Sequence, residues 1–214
     1  MSCKLCETRR PRRFCPGVRG DICSICCGTE REVTVDCPFE CEYLQDARRH
    51  ERPVEIPPEQ YPNQDVRLTE RFLREHQALV VFLGRVLLEA ALRTPGTVDG
   101  DVRDALDSLA RTYRTLQSGV YYQTRPNNSI AAQICELVEA ALANFRREEP
   151  ERLGMTKTRD ADVLGAMVFL QRIEAKQNNG RRRGRAFLDY IRARFEGLEG
   201  LPPVPAPASH LIVP

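Results

Sequence analysis

Eight cysteines fall within the first 41 residues of this 214-residue chain, and only one more, Cys135, stands in the remainder. The eight are Cys3, Cys6, Cys15, Cys23, Cys26, Cys27, Cys37 and Cys41. Such a density leaves three ways to use the thiols: disulfides, a metal, or redox chemistry. The N-terminal stretch "MSCKLCETRRPRRF" has neither the apolar run nor the cleavage site of a secretory signal, so a reducing cytoplasm is expected, where disulfides are rare. The evenly spaced run of cysteines typical of ferredoxins is absent, which disfavours an iron–sulfur cluster. Redox sensing needs exposed thiolates of low pKa, and a metal-bound thiolate is occupied. Zinc is therefore the expected cofactor. All-cysteine zinc sites are closed and structural, because four thiolates place too much negative charge on the ion for it to acidify water well.

The spacing predicts how the ligands divide. In "DICSICCGTEREVTVDCPFECEYL", Asp21 to Leu44, Cys23 and Cys26 have the spacing of a zinc knuckle, with Gly28 just beyond. Val33 and Val35 alternate with polar neighbours, as in one arm of a short hairpin. Pro38 is suited to a first helical turn, which would place Cys37 and Cys41 on one face of a helix start. Cys23, Cys26, Cys37 and Cys41 then form one site, and Cys3, Cys6, Cys15 and Cys27 a second, giving two Zn2+ per chain. Which of Cys26 and Cys27 serves which ion stays open. So does a crossed pairing, in which Cys3 and Cys6 share an ion with Cys23 and its neighbour. His50 is a ligand only if one thiol is left over. A module of about fifty residues with few large apolar side chains could not fold on its own core, so the metal would supply its folding energy.

Composition divides the chain further. Residues 1–51 form the cysteine-rich module and 52–65, with "RPVEIPPEQYPNQD", a proline-rich connector that cannot continue a helix. Residues 66–196 show helical periodicity only, and 197–214 form a proline-rich tail suited to polyproline II. The predicted helices run from about Val66 to Arg93, from Thr97 or Asp99 to Ser118, from a Ser129 cap along Ile130, Ile134, Val138, Ala141 and Leu142, from "TRDAD" to "NNG", and from Gly184 to Phe195. The expected fold class is thus mainly α: a small zinc-binding module, a short hairpin plus helix, joined to a bundle of about five helices.

Charge argues against a polyanion partner as the first reading. The chain carries 32 basic and 30 acidic residues, and residues 1–52 exceed neutrality by one positive charge, which eight thiolates and two Zn2+ turn into three negative ones. Two arginine-rich segments remain candidates for anion or nucleic-acid contact: Arg9, Arg10, Arg12 and Arg13 beside Phe14, and Arg181, Arg182, Arg183 and Arg185 in "NNGRRRGRAF". The second lies at a helix start, where cations are unfavourable unless an acid compensates, with Asp160, Asp162 and Asp189 available in the same domain. Tyr121 and Tyr122, in "SGVYYQTRPNNS", are expected to close the end of the bundle. His76 is read as structural or surface, and Cys135 as a small core residue. The longest apolar run, Leu79–Leu92, is broken by Arg85 and Glu89 and is too short to span a bilayer. No HExxH, G-x-S-x-G, phosphate loop or dinucleotide fingerprint is present, and no small-molecule substrate is evident.

The stretch "CSICCGTEREVTVDCPFECEYLQDARRH", together with "SGVYYQTRP" and "RAFLDYIRARF", resembles uncharacterised bacterial proteins that join a cysteine-rich module to a helical domain; the resemblance implies no activity. The order of knuckle, hairpin and helix start also resembles a treble-clef zinc finger. The resulting expectation is a cytoplasmic, non-enzymatic zinc protein acting through protein–protein contacts. RNA or DNA binding through the arginine segments is the first alternative and thiol-based redox or metal sensing the second. A hydrolase or transferase would need converging acid and base groups in the helical domain.

Overall fold

The computed structural model describes residues 2–52, 54–153 and 158–195. The tail expected over 197–214 lies outside them. Strands β1 (Arg13–Cys15) and β2 (Gly20–Ile22) pair antiparallel, with Phe14 opposite Asp21. Pro16 and Gly17 turn the chain between them, and Arg19 takes a positive φ of 52° to complete the turn. The hairpin therefore lies upstream of the Val33–Val35 stretch predicted for it. There the amides of Val33, Thr34 and Val35 all donate to the carbonyl of Glu30, which makes that segment a tight turn rather than a strand.

Cysteines cap both helices of this module. Cys23 is the N-cap of α1 (Ser24–Glu30), its Sγ accepting from the Cys26 amide at 3.4 Å, and Cys41 precedes α2 (Glu42–His50). The expected helix start at Pro38 is a turn instead, closed by the Cys41 amide on the Pro38 carbonyl, so Cys37 and Cys41 share no helical face. Arg48, Arg49 and His50 end α2, where cations suit the helix dipole.

From Glu70 onward the chain is helical: α3 (Glu70–Glu75), α4 (Gln77–Arg93), α5 (Asp99–Gln117), α6 (Ser129–Leu153), α7 (Asp160–Gln177) and α8 (Ala186–Phe195). The long first helix expected over 66–93 is broken at His76. Its ring lies tilted against Phe72 at 4.6 Å and its Nε2 lies 3.6 Å from Asp162, so this histidine has a partner on α7. Start signals are carried by side chains: Asp101 accepts from the Val98 amide, and Asn128, one residue before the expected Ser129, accepts from Ile130 and Ala131.

The core joins Leu83 and Leu87 of α4, Leu106 and Leu109 of α5, Ile134 and Leu142 of α6, Met167 of α7, and Phe187 and Leu188 of α8. Cys135 sits within it, its thiol donating to the Ala105 carbonyl and pushed up to about 12 by burial. Two glycines permit close packing: a Cβ on Gly165 would run into the Phe72 ring, and one on Gly84 would come within 2.9 Å of Phe195. A polar ladder binds α5 to α7, with Arg103 gripping the buried Glu174 through two 3.1 Å bonds and Gln171 donating to Asp107.

The connector is stapled to the bundle. Arg172 of α7 donates to the carbonyls of Pro62, Asn63 and Val66, Asn63 donates to Gln171, and Arg114 of α5 holds Asn63 and Asp65. Tyr121 and Tyr122, expected to close the bundle end, are instead 79% and 64% exposed. Thr115 and Thr112 bind the backbone of this segment, at Tyr122 and Thr124, which turns the two rings outward.

Candidate metal centre

Four thiols converge from two elements. Cys3 and Cys6 lie on the N-terminal turn, where the Cys3 amide donates to the Arg9 carbonyl and the Glu7 amide to that of Cys3. Cys23 and Cys26 lie at the start of α1. The four Sγ atoms all stand within 4.8 Å of one another. A tetrahedral Zn–S4 centre, with bonds of about 2.3 Å, needs sulfur separations near 3.8 Å, within reach of small side-chain rotations. Cys3, Cys23 and Cys26 are buried and Cys6 is partly exposed. The Cys23 amide points at the Cys3 sulfur at 3.2 Å, so two backbone N–H groups already face sulfurs of this set. The donor chemistry fits a soft, thiophilic cation such as zinc.

The electrostatics prepare the ligands unequally. Hydrogen bonds from the Thr8 side chain and the Arg9 and Thr8 backbone lower the Cys6 thiol to about 5. Cys23 is lowered chiefly by the Cys26 amide, while Cys26 is raised to about 12 by its bond to Cys23 and by burial. The Arg9 guanidinium bonds the Cys23 side chain, and its own pKa is raised in return.

This set corresponds to the crossed pairing. Cys23 and Cys26 are gathered with Cys3 and Cys6, and Cys37 and Cys41, with which the spacing had paired them, are not in that group. Consecutive helical residues point about 100° apart, so Cys26 faces the tetrad while Cys27 faces away. The Cys27 sulfur accepts from Arg13 at 3.7 Å and Arg31 at 3.8 Å. Cys15 and Cys37 are buried. Burial raises Cys37 to about 11, and the neighbouring Cys15 and Cys41 add to the rise. Cys15, Cys27, Cys37 and Cys41 are packed in the same cluster as the tetrad and form no disulfide. Among the described residues, Cys3, Cys6, Cys23 and Cys26 are the one group of metal-ligating side chains gathered within 4.8 Å.

Half of the arginines in the two segments, Arg9, Arg13, Arg181 and Arg185, have side chains engaged within the protein. Arg13 also lies over the Tyr43 ring at 3.9 Å, whereas Arg10 and Arg12 are exposed. Arg181 pairs with Glu51 at 3.5 Å and donates to the Arg31 carbonyl; Arg185 pairs with Asp36 at 2.6 Å and donates to the carbonyls of Thr97 and Cys37. Only Arg182 and Arg183 of this run present exposed side chains. The acids that compensate the start of α8 are not Asp160 or Asp162. Asp99 accepts from the Phe187 and Leu188 amides at 2.9 and 3.1 Å, and Asp189 serves Arg48 at 2.6 Å.

A residue without any sequence signal holds the centre of this contact. Glu32, between the two halves of the cysteine set, is fully buried with φ 54°. Its carboxylate accepts from Arg48 at 2.5 Å, Asn179 at 2.9 Å and the Arg185 amide at 3.0 Å, and its carbonyl accepts from the Arg183 amide at 2.7 Å. The cysteine-rich segment is thereby fastened to the loop before α8. No protein-family model, curated protein or solved structure matches the chain. Among the described residues no helix is long and apolar enough to cross a membrane.

Proposed function

We propose that this is a cytoplasmic, non-catalytic zinc protein whose metal is structural and whose work is done by macromolecular contact, with another protein as partner. The observation that carries the reading is the convergence of Cys3, Cys6, Cys23 and Cys26 within 4.8 Å. A closed set of four thiolates leaves no coordination position for a substrate, so the ion acts as a staple. The second zinc is held by Cys15, Cys27, Cys37 and Cys41. Its support is the buried cluster these thiols share with the tetrad and the N–H groups of Arg13 and Arg31 aimed at Cys27. Such donors offset the negative charge of a zinc–thiolate centre.

Native mass spectrometry with elemental analysis tests this directly. Two zinc ions are expected in the wild-type chain. Cys3→Ser should remove the first site and Cys37→Ser the second, each leaving one ion. A wild-type chain with one zinc, and Cys37 and Cys41 open to alkylation, would discard the second site and favour thiol redox chemistry. A chain that binds no zinc would end the structural reading.

A further inference from the structure

We propose that the cleft between α2 and α8 is a binding site for a small phosphate-bearing anion. The cleft, of about 450 Å3, opens at the seam between the cysteine-rich segment and the bundle. Four guanidinium groups line it, those of Arg48, Arg52, Arg181 and Arg194, against two carboxylates, Glu51 and Asp189. Both carboxylates are already engaged: Glu51 faces Arg181 and Asp189 faces Arg48. Arg52 and Arg194 have no carboxylate partner among the described residues, and they leave the walls with an excess of two positive charges. Arg48, also on the cleft wall, has a buried Nε–H without an acceptor among the described residues.

The two free cations are suited to an oxyanion rather than to solvent alone. The Arg194 guanidinium carbon lies over the Tyr190 ring, 3.5 Å from its centre, and the group donates to that residue's carbonyl at 3.4 Å. The side chain is thus ordered before any ligand arrives, which lowers the entropic cost of binding. Arginine forks match the oxygens of phosphate in pairs, and Arg52 and Arg194 both line the cleft. The volume suits a phosphomonoester of up to nucleotide size. A nucleic-acid strand is less well served, since tracking a backbone needs a row of free cations and Arg48 and Arg181 are internally neutralised.

The test uses the full-length, zinc-loaded chain in calorimetric titrations with inorganic phosphate, a nucleoside monophosphate and a single-stranded oligonucleotide. Saturable binding of one phosphate or monophosphate per chain is expected. Arg52→Ala with Arg194→Ala should weaken it by about tenfold or more, and the Lys versions of both should fall between, keeping charge but losing the fork. Arg10→Ala with Arg12→Ala removes the same charge outside the cleft and should leave affinity unchanged. Absence of saturable phosphate binding, or an equal loss in the two double variants, would overturn the site. Binding confined to the oligonucleotide would overturn it in favour of a diffuse polyanion surface. None of these outcomes depends on how many zinc ions the chain holds.

Discussion

Replacing Glu32 by alanine should destabilise the whole molecule, although Glu32 touches neither the main core nor any sulfur through its carboxylate. The wild-type carboxylate is buried and accepts from Arg48, Asn179 and the Arg185 amide. Truncation leaves the Arg48 guanidinium, itself 11% exposed, with Asp189 as its one carboxylate among the described residues. Breaking a buried charged pair from one side costs about 3–5 kcal/mol, and each orphaned buried donor costs about 1–3 kcal/mol. Because Asp189 remains and water can reach part of the space vacated, we expect a total of about 3–5 kcal/mol. Urea unfolding followed by far-ultraviolet circular dichroism on zinc-loaded protein reads this as a lower midpoint. Arg48→Ala and the double variant complete a thermodynamic cycle, in which the coupling should reach about 1–3 kcal/mol. A loss below about 1 kcal/mol at unchanged urea dependence would show that the carboxylate is not the fastening described above.

Three further outcomes are expected. Burial pushes the Asp99 carboxyl up to about 7, against the pull of the Phe187 and Leu188 amides. The folded chain therefore holds a proton there that the unfolded chain has lost, and raising the pH from about 4 to 7 should weaken the fold by up to about 4 kcal/mol. Asp99→Asn should flatten that part of the stability–pH curve, and an unchanged slope would refute the assignment. Gly165→Ala, which drives a methyl into the Phe72 ring, should lower stability by about 1–3 kcal/mol in the same urea assay, and a neutral result would mean that α3 yields without cost. Chelation at neutral pH should abolish amide-exchange protection in β1, β2, α1 and α2 while most helicity survives. Retained protection there would show that the metal is not what folds the segment.

The bundle was legible because its signals are local. Apolar residues at helical spacing, Asp99, Ser129 and "TRDAD" at helix starts and "NNG" at the end of α7 placed the starts of α5, α6, α7 and α8 near their observed positions. The break at His76 was not legible, because no proline or glycine marks it; Phe72 and Asp162, one of them more than eighty residues away, supply its contacts. The cysteine pairing depends on which way α1 turns Cys26 relative to Cys27, and spacing does not carry that orientation. The alternation around Val33 imitated a strand, whereas Pro16 and Gly17 carried the actual turn signal. Glu32 looked like one more solvated acid in "TEREVTVD", since nothing nearby in sequence announces that Arg48, Asn179 and Arg185 converge on it. For the tyrosines a general expectation failed: Thr112 and Thr115 satisfy the backbone of residues 122–124, so the rings are not needed to seal the end.

The three carbonyls held by Arg172 make the connector a measuring strip. With Pro62, Asn63 and Val66 fixed at one end and the Val54 amide bonded to the Lys176 carbonyl at the other, the path between them has a set length. An insertion between residues 55 and 61 would bulge outward at a modest entropic cost. One between 62 and 66 would shift the register of every bond to Arg172 at once. Sequence drift in this stretch should accordingly be free in composition near its middle and intolerant of length change at its downstream end.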